Sequence, residues 1–287
     1  MTRRVAMELL LAAGFARSQD SPQDYVCPMD PDIRSAKPGV CSRCGMKLVF
    51  GIPDGLEYKL DMALSPRVFH PGDHVQLAFR VVDPKTGKLV QKFEIVHEKF
   101  FHLFLVSQDL QHFTHDHPKL GPDGIFRFDM VFPKPGLYRL LGDFYPAGAT
   151  PQLIAKTVIV PVKPGDRLEI TPVTLVADLV SNHCQNMDVE LVTEPAQPIA
   201  GQKTLLFFRL KPADGLEKYL GAWGHMLAAS DDLIDMIHAH PFLADGGDRE
   251  QFNLIFPRAR TFRVWVQFQR QGVVNTAAFN VPVQELK

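Results

Sequence analysis

The chain has 287 residues, enough for two ordinary domains and a small appendage. Lys and Arg number 31 against 32 Asp and Glu, and the formal net charge of -1, with no basic run, gives no support for a nucleic-acid partner, and none is expected. Twenty-three prolines and 21 phenylalanines against 2 tryptophans point to short strands between proline-bounded loops rather than long helices.

In chain order, residues 1–18 read first as a secretory signal peptide. Arg3 and Arg4 form a short basic start, Val5 to Ala16 an apolar stretch interrupted by Glu8, and the small residues Gly14 and Ala16 mark cleavage near Ala16. The other reading is an amphipathic N-terminal helix. Export would place the protein in the periplasm or outside the cell. No later stretch reaches the roughly 18 apolar residues of a membrane span, so the mature chain is expected to carry no transmembrane segment.

Residues 24–50 form a compact sulfur-rich module. Three of the four cysteines lie here, Cys27, Cys41 and Cys44, and Met29 and Met46 follow Cys27 and Cys44 at two-residue intervals. A C-x-x-C closed by Gly45 is a knuckle whose sulfurs can converge on one ion while glycine lets the backbone turn. Thiolates and thioethers favour Cu(I), zinc and other thiophilic ions. So short a segment cannot build a sufficient core, and a bound ion would supply folding energy. The alternative is a structural disulfide in an exported protein, including pairings with Cys184.

The module resembles the heavy-metal-binding domain found on copper- and silver-efflux ATPases and periplasmic efflux adaptors. That family reads C-P-M-H-P, then P-G-x-C-P-x-C-G-M. Cys27-Pro28-Met29, Pro31, Pro38-Gly39, Cys41 and Cys44-Gly45-Met46 match it, whereas Asp30 replaces the usual His and Ser42 the usual Pro. The resemblance implies metal binding by the three thiolates with Met29, Met46 or Asp30, and an efflux or envelope protein as partner.

The remainder is an internal duplication. His102, Ser107, Asp109, Leu110, His115, His117 and Pro118 recur without a gap as His225, Ser230, Asp232, Leu233, His238, His240 and Pro241. Downstream, Phe132-Pro133 and Phe256-Pro257 each precede a strand-like run, 138–144 and 262–268. Upstream, proline-rich turns lead into runs at 75–82 and 204–210. Short alternating or fully apolar runs with Pro-Gly and Asp-Gly punctuation predict a mainly β protein, with two antiparallel β-sandwiches of immunoglobulin- or cupredoxin-like type after the cysteine knuckle. The predicted boundaries are 57–163 for domain A, 187–287 for domain B and 164–186 for a connector containing one further strand, 168–173.

His115 and His117 form an H-x-H pair. On a strand, alternate side chains share a face roughly 6.5–7 Å apart, and a hairpin return would bring His102 beside them. His102, His115 and His117 in domain A, and His225, His238 and His240 in domain B, are therefore the candidate imidazole ligands, for copper, zinc or nickel. Asp143 and its counterpart Gln267 are expected to orient ligands. His97 and His112, without counterparts, are expected to serve domain A only. Ser107, Asp109, Ser230 and Asp232 are read as turn formers. The alternative is that the repeated histidines are packing or turn residues. The pattern also resembles exported bacterial proteins that join a heavy-metal module to sandwich domains.

These readings imply an exported Cu or Zn binding protein for buffering, resistance or delivery to an efflux partner. The alternatives are an envelope adaptor and a metal-dependent enzyme using a three-histidine site. No general base, Ser/His/Asp set or phosphate loop is recognisable, so no catalytic residue is predicted.

Overall fold

The computed structural model describes residues 25–27, 33–43, 45, 47–50, 56–162, 165, 167–168, 173–242 and 245–286. The expected signal peptide and Met29, Cys44 and Met46 lie outside these. So do residues 169–172, most of the strand expected in the connector, and Leu168 and Val173 on either side are in no strand. The described residues contain twenty strands and no helix, and no helix is long and apolar enough to cross a membrane.

The N-terminal module is a three-stranded sheet of β1 (Tyr25–Val26), β2 (Arg34–Ser35) and β3 (Val49–Phe50), with β1 in the centre. Domain A contains β4 (Lys59–Ser65), β5 (His74–Val82), β6 (Phe101–Ser107), β7 (Phe113–Asp116), β8 (Lys119–Leu120), β9 (Phe126–Val131), β10 (Gly136–Phe144) and β11 (Gln152–Val160). Domain B contains β12 (Asn182–His183), β13 (Asp188–Glu194), β14 (Lys203–Lys211), β15 (Leu216–Glu217), β16 (His225–Ser230), β17 (Met236–Ala239), β18 (Arg249–Ile255), β19 (Thr261–Arg270) and β20 (Val273–Pro282). In domain A the sheet β4-β5-β9-β8 faces the sheet β11-β10-β6-β7. The orders β4-β5-β9 and β11-β10-β6-β7 recur in domain B as β13-β14-β18 and β20-β19-β16-β17. All pairings between these strands are antiparallel.

Strand periodicity shows which faces are covered. On β5, Val75, Leu77, Phe79 and Val81 point into the domain A core while their neighbours are half-buried or exposed. Strand β14 does the same with Leu206, Phe208 and Leu210. Such alternation belongs to a sheet with one wet face. Strands β6 and β16 differ, because every residue in both is buried. Phe101, Leu103 and Leu105 join the domain A core, whereas Phe104 and Val106 point the other way into a third apolar cluster. Met226 and Ala228 join the domain B core, whereas Leu227 and Ala229 enter the same third cluster. Leu141 of β10, Trp265 of β19 and the turn residues Leu110 and Leu233 also belong to it, and the Trp265 ring lies 5.0 Å from Phe113 at an interplanar angle of 8°. The two sandwiches therefore pack sheet against sheet across a continuous apolar seam.

The repeated Ser-x-Asp-Leu segments are turns, as expected. Ser107 Oγ donates to Asp109 Oδ1 and Ser230 Oγ to Asp232 Oδ1, each at 2.6 Å. Leu110 and Leu233 close these turns at φ 57° and 56°.

Candidate metal centre

The β6–β7 hairpin places Phe104 opposite His115, and β16–β17 places Leu227 opposite His238. His102, the second residue of β6, and His225, the first of β16, lie on the faces turned toward the other domain, and His117 and His240 lie just past the ends of β7 and β17. One nitrogen from each of His102, His115 and His117 lies within 4.8 Å of the others, and the same holds for His225, His238 and His240. Both triads continue the interdomain seam. The Phe104 ring stands 4.2 Å from that of His115 and 4.6 Å from that of His238.

The outward-facing nitrogens have fixed partners. His102 Nε2 donates to the Val96 carbonyl at 3.0 Å, and His225 Nε2 to the Tyr219 carbonyl at 2.8 Å. His115 Nδ1 donates to Gln267 Oε1 at 2.8 Å, and Gln267 Nε2 continues to Thr276 Oγ1 at 3.1 Å. His238 Nδ1 donates to Asp143 Oδ2 at 2.6 Å. Asp143 and Gln267 do orient histidines, but each serves the opposite domain. Carbonyl, amide and carboxylate oxygens accept, so the proton sits on the outer nitrogen and the inner one faces the cluster.

The inner nitrogens crowd together. His102 Nδ1 lies 3.1 Å from His115 Nε2 and 3.2 Å from His117 Nε2, and His225 Nδ1 lies 3.0 Å from His240 Nε2. His238 Nε2 is buried without a hydrogen-bond partner among the described residues. Burial, followed by the charge of His238, lowers His102 to about 4, and burial, followed by the charge of His102, lowers His117 to about 3. Burial first, with neighbouring histidines second, also holds His115, His225 and His240 well below the usual imidazole range. The rings of His102 and His115 are thus neutral at pH 7 and point lone pairs at one another, an arrangement that repels unless a cation lies between them. A tetrahedral ion with bonds of ~2.0–2.1 Å separates its ligand nitrogens by roughly 3.3 Å, close to the observed spacing. The donor set fits a metal ion.

His97 departs from expectation. Val96-His97-Glu98-Lys99 and Tyr219-Leu220-Gly221-Ala222 are equivalent two-residue hairpin turns, each closed by reciprocal backbone hydrogen bonds. Their central residues have φ 45° and 65° in domain A and 51° and 76° in domain B, the primed turn that matches strand twist. The turn carries His97 out of its own domain. Its ring lies 3.7 Å from His240 and 5.4 Å from His225, against 6.4 Å from His102. His112 lies beside Tyr138, 6.2 Å between ring centroids.

In the sulfur module, Cys27 and Cys41 are both buried. Gly45, at φ 74°, donates its N–H to the Cys41 carbonyl at 2.9 Å, and the Arg43 N–H points at Cys41 Sγ at 3.4 Å. That is the wrapped backbone a knuckle requires. Cys184 is a separate thiol in domain B, half-buried against the Thr276 carbonyl at 3.5 Å. The module rests on both sandwiches. The Arg43 guanidinium sits 4.1 Å from the Phe242 ring centre, and Lys47 pairs with Glu94 at 3.3 Å. Arg43 also lines a cavity of about 470 Å³ with Asp143, His238, His240 and Phe242.

Residues 53–161 and 182–285 each match a family described as a domain of unknown function, DUF8832, so the two halves of the internal duplication are two copies of that domain, and together the matches span most of the chain. The chain belongs to that family. Residues 25–49 match the family described as heavy metal binding domain. No curated protein matches the chain. Among solved structures it is similar to the Escherichia coli adhesin FdeC, with 13% identity over 83% of this chain and 70% of that one and a TM-score of 0.26. It is also similar to the fibronectin(III)-like modules of Clostridium thermocellum CbhA, with 10% identity over 78% of this chain and 95% of that one and a TM-score of 0.23.

Proposed function

We propose that this protein is an extracytoplasmic heavy-metal binder that captures copper or zinc and holds it for buffering, resistance or delivery to an efflux partner. The sulfur module takes thiophilic ions through Cys27, Cys41 and Cys44, with Met29 and Met46 as thioether donors. The histidine triads hold a second population of Cu or Zn on His102, His115, His117, His225, His238 and His240. The observation that carries this reading is the buried contact between His102 Nδ1 and His115 Nε2 at 3.1 Å, in which both rings have their protons committed to outer acceptors. Packing histidines of ordinary structural type would place a donor against an acceptor there. Export rests on the basic and apolar start of the chain and on soft-metal capture as an envelope task.

The test is elemental analysis and metal titration of the full chain and of two variants. Replacing Cys27, Cys41 and Cys44 by Ser is expected to abolish Cu(I) capture by the module and leave Zn(II) or Cu(II) binding at the histidines. Replacing His115 and His238 by Ala is expected to do the reverse. Unchanged titrations in both variants would overturn the proposal.

A further inference from the structure

We infer that the two histidine triads hold two ions as one dinuclear centre shared by the sandwiches, rather than as two independent sites. The inference rests on the proposed metal binding at the histidines and extends it to number, spacing and assembly.

Three observations carry it. The triads interpenetrate. Ring centroids within a triad are 4.4 to 6.1 Å apart. Across the domain boundary, His115–His225 is 5.3 Å, His102–His238 5.9 Å, His102–His225 6.0 Å and His115–His238 6.2 Å. An ion in one triad therefore sits beside an ion in the other. Each triad is also completed by the opposite domain, because Gln267 orients His115 and Asp143 orients His238. Undocking the sandwiches would dismantle both. Finally, the parts correspond in pairs around a pseudo-two-fold axis, His102 with His225, His115 with His238, Val96 with Tyr219 and Asp143 with Gln267. A geometry that suits one ion is repeated for the second.

The halves are not identical, and this sets the order of filling. An anionic carboxylate behind an imidazole makes it a stronger donor than a neutral amide does. Domain B has the carboxylate of Asp143 behind His238, whereas domain A has the amide of Gln267 behind His115. Domain B also gains the ring of His97 against His240, where the equivalent position on the other side is Leu220. The domain B triad fills first and the domain A triad second.

The experiment is electron paramagnetic resonance during Cu(II) titration of the full chain, with Cys27, Cys41 and Cys44 replaced by Ser to remove the thiolates. The first equivalent is expected to give an isolated Cu(II) spectrum whose intensity accounts for all bound copper. The second is expected to lower the integrated intensity per bound copper and to add a half-field transition, because two neighbouring spins couple. Loading one equivalent of Zn(II) before one of Cu(II) should restore the isolated spectrum without further mutation, and His117→Ala should eliminate the coupled signal while leaving the first site. Two bound coppers with the summed spectra of isolated ions at every loading, or saturation at a single ion, would overturn the pair while leaving metal binding intact. No copper on the histidines at all would overturn both readings.

Discussion

Asp143 offers the sharpest test of how the domain interface supports the histidine centre. Its carboxylate accepts from His238 Nδ1 at 2.6 Å, with side chains 5% and 2% exposed, so water cannot replace it. A charge-assisted hydrogen bond of this kind contributes about 1.5–3 kcal/mol. Loss of the group orienting a ligating imidazole typically weakens metal binding by about tenfold to a hundredfold, which at ~1.4 kcal/mol per tenfold is the same range. Asp143→Ala should therefore weaken the tighter of the two histidine steps by about one to two orders of magnitude. Asp143→Asn is the instructive comparison, because it recreates in domain B the neutral amide that Gln267 presents to His115 at 2.8 Å. It should cost less than Ala and bring the two steps closer together. Chelator competition with Zn(II) on the chain lacking Cys27, Cys41 and Cys44 reads both constants. Unaltered affinity in Asp143→Ala, or equal losses in Ala and Asn, would refute the orienting role.

Trp265→Ala removes the large ring stacked on Phe113 at the interdomain seam and should cost about 3–5 kcal/mol; its denaturation curve should resolve into two transitions, with metal binding at the histidines lost together with docking. Glu250 is fully buried, and burial raises its pKa from 4.5 to about 8. The folded state then binds more protons than the unfolded state between those values, so stability falls as pH rises through that window. Glu250→Gln should abolish this loss and stabilise the protein above pH 8 by a few kcal/mol, since each tenfold change in proton affinity is worth ~1.4 kcal/mol, measured as urea midpoints at acidic and alkaline pH. His102 has the opposite sign, since its folded pKa of about 4 lies below the ordinary 6.5. Below pH 6.5 the unfolded chain takes up the proton first, so metal-free protein should lose stability on acidification toward pH 4, with full stability above 6.5. Saturating Zn(II) should move the onset of that loss to lower pH in thermal melts, because the ion binds only the folded, deprotonated rings.

Much of this architecture is legible in the chain. The gapless recurrence of three histidines with a Ser-x-Asp-Leu turn marks the duplication, and hairpin length alone places His102 beside the H-x-H pair. Asp143 and Gln267 stand out as polar residues near the ends of the corresponding strand-like runs 138–144 and 262–268. What periodicity cannot convey is which neighbour covers a second buried face. Phe101 to Val106 reads as an apolar strand whether its alternate residues meet a loop, a partner or a second sandwich. The crossing of Asp143 to His238 and of Gln267 to His115 depends on domain docking, which leaves no local trace. His97 reads as a domain A residue because it lies five residues before His102, and only the positive φ values of its turn send it across. The connector strand expected at 168–173 lies mostly outside the described residues, and among the described connector residues Asp178 forms a bridge to Asn280.

The covalent link between the two halves has a consequence of its own. A dimer of identical subunits with this interface would be isologous, so any side chain placed on one side would be forced onto the other. Tandem halves in a single polypeptide escape that constraint. Asp143 can face Gln267 across the axis, and His97 can face Leu220, with each substitution felt at only one of the two positions. The connector also keeps the halves at a high effective concentration, so assembly of the interface does not depend on how much protein is present.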